Sequence, residues 1–215
     1  MDLYKYRRRL KKDTAMNGIA ESTKQIINNI FHESANYQFV FLNGIKFDAR
    51  VSIEEDETKL EVLFRPNTEV HKGDIVEINA NHWLVENVYI NDIYPTAYVL
   101  KCNEWLRWKV DNVVSVYPCV VKSTSISLEE GKYMIHSENL VEILTPYNED
   151  TKKIKPTQRF ILNDKAYEIE GTDILSNVSF GKGYITMKAT ETLKEVDDNF
   201  IDDIADNQGS NWGSW

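Results

Sequence analysis

The feature that most limits how this chain can fold is a stretch that occurs twice. Residues 72–90 read KGDIVEINANHWLVENVYI, and residues 156–175 read PTQRFILNDKAYEIEGTDIL. RFILNDKAYEI (159–169) lies on IVEINANHWLV (75–85) without a gap. Leu162 falls on Ile78, Asn163 on Asn79, Tyr167 on Trp83 and Ile169 on Val85. Each copy is a short strand pattern, a tight polar turn and a second strand opened by an aromatic residue, which is the signature of a β-hairpin. The flanks repeat as well. LVEILTPYN (140–148) matches KLEVLFRPN (59–67), and YITMKA (184–189) answers AYVLKC (97–102). Order and spacing are both kept, so the chain reads as two copies of one small β module. Two copies are too few for a solenoid. Five or so short strands per copy suit a small barrel or sandwich.

The expected fold is therefore mainly β: two tandem barrel or sandwich modules, preceded by an N-terminal α-helix and followed by an acidic tail. Residues 1–35 hold a basic arm and the helix, 36–109 the first module, 110–193 the second and 194–215 the tail. Ile19, Thr23, Ile26, Ile27, Ile30 and Phe31 share one face of a helix over 14–34. With strands on every side in the sequence, that helix must pack on a sheet or on another subunit. Asn43-Gly44 marks a type I′ hairpin turn between strands at 37–42 and 45–51. NEWLRWK (103–109), with two tryptophans three apart, ends the first module, and VVSVYPCVV (113–121) reads as strand and turn. The tail EVDDNFIDDIADNQGSNWGSW (195–215) is acidic and then rich in Gly, Ser and Asn. Its apolar anchors, Phe200, Ile201, Ile204, Trp212 and Trp215, point to docking on something, a neighbouring subunit included.

Charge and motif exclude several functions. Lys and Arg number 25 against 34 Asp and Glu, a net charge of -9, which argues against coating nucleic acid with the whole surface. No apolar run is long enough to span a membrane, and no apolar signal core follows MDLYKYRRRLKKD. Use inside a cell, or in a particle assembled there, is expected. Cys102 and Cys119 form no CxxC pair and read as buried thiols rather than a disulfide. His32, His71, His82 and His136 fall in no metal or catalytic pattern, and there is no nucleophile elbow or phosphate-cradling loop. The acidic pairs Glu54-Glu55, Glu129-Glu130 and Asp202-Asp203 sit in loops or tail as solvated charge. No catalytic, metal or cofactor residue is assigned, and a non-enzymatic role is expected. Trp83, Trp105 and Trp108 could stack bases on a barrel face. Their neighbours Lys101, Glu104, Arg107, Lys109 and Asp111 are of mixed charge, which favours core or interface. The basic cluster Lys5, Arg7, Arg8, Arg9, Lys11 and Lys12 is a candidate contact for DNA phosphates or an acidic partner.

The proline turn, KGDIVEINANHWLVENV, the closing strand and the Cys102, Asn103, Leu106, Arg107, Trp108 stretch resemble a known group, as does DDNFIDDIADN (197–207). They are similar to virion structural proteins of the head–tail joining region of long-tailed phages and prophages of Gram-positive bacteria, and to head-completion or stopper proteins above all. The resemblance covers most of residues 1–207 and implies a small barrel in a ring below the portal and adaptor. The partners it implies are other copies of the chain, portal or adaptor and tail proteins, and packaged duplex DNA in the channel, with no membrane and no small-molecule substrate. The place would be the virion, assembled in the host cytoplasm. Loops 52–58 and 122–138, carrying Glu54, Glu55, Asp56, Glu129 and Glu130, would face the channel and repel phosphates. Trp105, Trp108, Phe200, Trp212 and Trp215 would anchor interfaces. The alternatives are a tail or tail-completion protein, and a nucleic-acid-binding β-barrel.

Overall fold

The computed structural model describes residues 12–54, 56–90, 93–110, 113–124, 140–196 and 198–205. Helix α1 (Lys12–Ile30) runs into a 3-10 turn at Phe31–Glu33. Six strands follow: β1 (Tyr37–Leu42), β2 (Ile45–Ile53), β3 (Lys59–Phe64), β4 (Ile75–Ile78), β5 (Asn81–Ile90) and β6 (Pro95–Lys101). They close into a barrel in the order β1-β2-β3-β6-β5-β4. The next strands are β7 (Glu104–Val110), β8 (Val113–Thr124), β9 (Leu140–Pro146), β10 (Arg159–Leu162), β11 (Lys165–Asp173), β12 (Val178–Ser179) and β13 (Lys182–Thr192). Their order is β10-β11-β13-β9-β8-β7, with β12 paired on β13. Replacing β1 to β6 by β7, β8, β9, β10, β11 and β13 turns the first order into the second. The repeat in the sequence is thus a repeat of topology.

It extends to backbone detail. The β4–β5 turn holds Asn79 and Ala80 at φ 50 and 62, and the β10–β11 turn holds Asn163 and Asp164 at φ 49 and 63, as type I′ turns require. The N–H of Gly73 donates to the carbonyl of Val85 at 2.8 Å, and that of Thr157 to Ile169 at 2.7 Å. The N–H of His71 donates to the Asp74 carboxylate, and that of Lys155 to the Gln158 side-chain carbonyl, both at 2.7 Å. A bulge interrupts β5–β6 between Val85 and Asn87, and another interrupts β11–β13 between Ile169 and Gly171. Period-2 alternation turns Val40, Val62, Phe64, Val76, Trp83, Val85 and Val99 into the first core. It turns Leu106, Trp108, Ile143, Phe160, Tyr167, Ile169 and Met187 into the second.

Four expectations need correcting. The 103–109 stretch does not end the first module: β7 pairs with β8 along its length and opens the second sheet. Val113–Thr124 is one strand through Pro118 rather than strand and turn. Pro118 pairs with Trp105 on one side, while β9 joins β8 only from Val120 onward, so the missing N–H interrupts no ladder there. In the closing strands Val85 faces Val99 and Ile169 faces Ala189, so Val99 corresponds to Ala189. That is three residues beyond the match of YITMKA to AYVLKC, because the β12 hairpin lengthens the second connection. Helix α1 stops at Ile30 rather than running to 34, and its C-terminal end is anchored on the first barrel. Phe31 is fully buried. Arg50 Nη2 donates to the Ile30 carbonyl (2.9 Å) and its Nε to that of Phe31 (3.0 Å), while Arg65 Nη1 donates to that of Asn28 (2.9 Å). Two guanidiniums therefore satisfy the orphan carbonyls at the negative end of the helix dipole. Ile19 and Ile26 remain 68% and 59% exposed.

The two modules are welded by a third apolar cluster: Leu84, Leu100, Val120, Leu144 and Tyr184, with Ile75 and Cys102 against it. Leu84 shows how this arises. It occupies the same outward position as Glu168, but in the first module that position faces the second. Burial pushes the Cys102 thiol up to about 12 and raises that of Cys119 as well, and both thiols are free. The β12–β13 hairpin adds a second contact. A Cβ on Gly73 (φ +81) would lie 1.7 Å from the carbonyl oxygen of Gly183. Beside it, Lys182 Nζ stands 3.1 Å from His71 Nε2.

Candidate assembly surfaces

The second sheet lacks the hydrogen bonds that close the first. β1 and β4 pair at Phe41–Glu77 and Leu42–Val76. Their counterparts β7 and β10 are adjacent but have no ladder between them. The chain after β13 packs at this seam. Arg159, at the start of β10 and only 7% exposed, donates through Nη1 and Nη2 to both oxygens of Asp198 (3.1 and 2.9 Å). The same guanidinium meets the Leu193 carbonyl at 2.7 Å and Glu195 at 2.9 Å. The Asp198 side chain is fully buried. On β7, Arg107 pairs with Asp203 at 2.8 Å. Asn199 and Ile204 bridge to each other, so the segment folds back on itself. Lys194 lies over the Phe200 ring at 4.1 Å. Two buried or half-buried arginines thus hold an acidic strap against its own module.

Between β7, the β10–β11 turn and this strap is a cleft of about 450 Å³, with Glu104, Asp164 and Asp203 among its walls and Trp105, Phe200 and Ile201 at its rim. The strap's outer side is apolar and open: Val196 and Ile201 are 101% and 94% exposed. A second groove of about 300 Å³ runs between the modules, bordered by Phe47, His71, Asp74, Tyr147 and Lys182. On the first barrel, Phe39 and Phe41 point outward from β1, with Lys46 Nζ 3.7 Å from the Phe39 centroid. Beneath the helix anchor, Asp48 accepts from Tyr37 Oη (2.8 Å) and pairs with Arg65 Nε (2.5 Å). Partial burial pushes this carboxyl up, but the hydrogen bonds from Tyr37 and Arg65 outweigh it and hold it below the usual 3.8.

The residues singled out from the sequence scatter over these surfaces. Trp105 is 43% exposed and meets His82 edge-on at 4.9 Å. Trp108 is 2% exposed and belongs to the second core, so it is not an anchor for a partner. Phe200 is a half-buried anchor of the strap, and it binds its own chain. Glu54 and Asp56 are exposed in the β2–β3 loop. Asp56 accepts the N–H and hydroxyl of Thr58 (2.7 and 2.6 Å), and these bonds hold its carboxyl below the usual range while closing the turn. Lys12 is placed as the first residue of α1 by its backbone alone. Lys5, Arg7, Arg8, Arg9, Lys11, Glu55, Glu129, Glu130, Trp212 and Trp215 lie outside the described residues. Among the described residues no group of three His, Cys, Asp or Glu could hold a metal, and no helix is long and apolar enough to cross a membrane. Sequence reading missed Arg159, Arg50 and Arg65. The one available signal was an arginine at the head of a strand pattern, where Ile75 stands in the other copy.

Residues 104–190 match the family described as the YomX C-terminal domain, a phage-derived family of Bacillus prophage type. The match begins at the first residue of β7 and ends within β13, so it spans the second sheet. No curated protein and no solved structure gives a significant match to the chain. The similarity is consistent with a phage protein.

Proposed function

We propose that the chain is a non-enzymatic structural protein of a phage particle, a subunit of the ring that closes the head and joins the portal or adaptor to the tail. The observation that carries this reading is the second sheet. The part of the chain similar to a phage-derived family is the part sealed by an acidic strap with bare aliphatic side chains on its outside. Such a surface suits contact with another protein. The weld between the modules supports the same reading, because a rigid two-barrel body can carry one partner at each end. Identical copies would meet through heterologous contacts that close by rotation. Exposed carboxylates such as Glu54 and Asp56, if turned toward the channel, would repel DNA phosphates and let the duplex slide.

Mass spectrometry of separated DNA-filled heads, free tails and whole particles tests the proposal. The chain is expected in filled heads and whole particles and absent from free tails. Its presence in free tails would move it to the tail side of the joint. Absence from every particle would overturn the virion reading and leave binding of nucleic acid as the function to assay, by its fall with salt.

A further inference from the structure

We infer that the strap and cleft of the second module form a docking surface for the N-terminal basic arm of a second copy of this chain. The surface has an unusual composition. Val196 and Ile201 on the strap carry almost no cover, and Ile201 borders a cleft of about 450 Å³ whose walls include Glu104, Asp164 and Asp203. Asp202 adds an exposed carboxylate on the strap. Arg107 is the cation of that wall, and it is already paired with Asp203. An occupant must therefore bring positive charge together with apolar or aromatic groups.

The chain contains one segment of that chemistry. Residues 1–11, MDLYKYRRRLK, lie outside the described residues and hold five cations interleaved with Leu3, Tyr4, Tyr6 and Leu10. Tyrosine and arginine are the side chains that supply contact area and a planar charged fork at protein interfaces. The segment ends where α1 begins, and α1 is held at its other end by Arg50, Arg65 and Phe31 on the first barrel. Nineteen helical residues place the arm about 28 Å from that anchor, and a chain of eleven residues reaches at most about 36–40 Å further. The arm leaves from the first module and the acidic strap belongs to the second, so arm-to-strap contacts between copies are head-to-tail, the type that closes rings. The inference takes its biological setting from the ring reading, but it concerns the purified chain alone.

The test needs no phage: light scattering and sedimentation of the 215-residue chain across a range of salt. Self-association is expected to weaken roughly tenfold or more between low and high ionic strength, as screened contacts between opposite charges do. The triple variant Arg7→Glu/Arg8→Glu/Arg9→Glu should lose association, and so should Glu104→Arg/Asp202→Arg, which leaves the Arg159–Asp198 pair untouched. Mixing the two reversed proteins should restore association between them, which misfolding or a general charge effect would not produce. A chain that stays monomeric at every salt, or reversed variants that fail to rescue each other while each keeps a native melting curve, would overturn the inference. Loss of duplex DNA binding in the arm variant with unchanged self-association would overturn it too and assign the arm to phosphates. Presence in phage particles combined with any of these failures would leave the virion reading standing.

Discussion

The two barrels share one topology, one hairpin turn and one bulge, yet they are closed by different means. The first is sealed by backbone hydrogen bonds between β1 and β4. The second is sealed by side chains, through Arg159 and Arg107 on the strap that follows β13. A ladder closure is local and depends little on which side chains are present. A side-chain closure makes the module depend on residues far along the chain, because Arg159 and Asp198 are buried only together. The comparison teaches that duplication fixes the backbone plan and leaves each copy's seam to be solved separately.

The sharpest way to break the difference is at the strap. Arg159→Ala removes the cation that pairs the buried Asp198 carboxylate, and a loss of about 3–5 kcal/mol in unfolding free energy is expected, read by chemical denaturation. Asp198→Ala should match it, and the double variant should cost much less than the sum. Truncating Phe41 or Glu77, the outward side chains of the β1–β4 seam, should cost far less, because the ladder there is made by backbone. The next effect is on the weld. Gly73 and Gly44 have nearly the same φ, +81 and +80, but a Cβ at Gly73 strikes backbone whereas nothing lies within 4 Å at Gly44. Gly44→Ala is expected to cost only the left-handed strain, about 1–2 kcal/mol. Gly73→Ala should exceed it clearly and show itself as earlier, uncoupled melting of the modules by calorimetry. Equal costs would mean that the Gly73–Gly183 contact is not held in solution.

A smaller effect distinguishes the helix anchor. The Asp48 carboxyl titrates below its ordinary value in the folded protein. Its contribution is therefore complete above the unfolded value near 3.8 and is lost as pH falls through the lower folded value. Asp48→Asn should lower stability at neutral pH and flatten the acid limb below pH 4, so that the variant and the parent converge as the pH falls. The smallest effect involves no change in stability. Cys102 and Cys119 should resist alkylation at pH 8 in the folded protein and react at once on unfolding, since burial raises both thiols.

Much of this plan was legible in the residues. Asn43-Gly44, Asn79 and Asn163 marked hairpins because few residues accept positive φ, and the gapless match of 159–169 to 75–85 gave the correct hairpin register. What stayed hidden was always a matter of long-range choice. The alternation in NEWLRWK says that β7 is a strand but not which sheet it joins. Trp108 looked like an anchor because a tryptophan's size suits core and interface alike. The three-residue slip in the closing strand came from a hairpin present in one connection and not the other. The strap's attachment had no local signal, since Arg159 and Asp198 are 39 positions apart. The acidic tail composition that predicted docking could not say that the host was its own module.

The attachment of α1 also has a mechanical meaning. Its last carbonyls are gripped by Arg50 on β2 and Arg65 just beyond β3, with Phe31 sunk beneath both guanidiniums. A pull on the N-terminal arm would travel down the helix axis and enter the barrel at two neighbouring strands at once. In a closed barrel neither strand has a free edge from which to peel. The helix is therefore a handle whose load is shared by the whole first barrel.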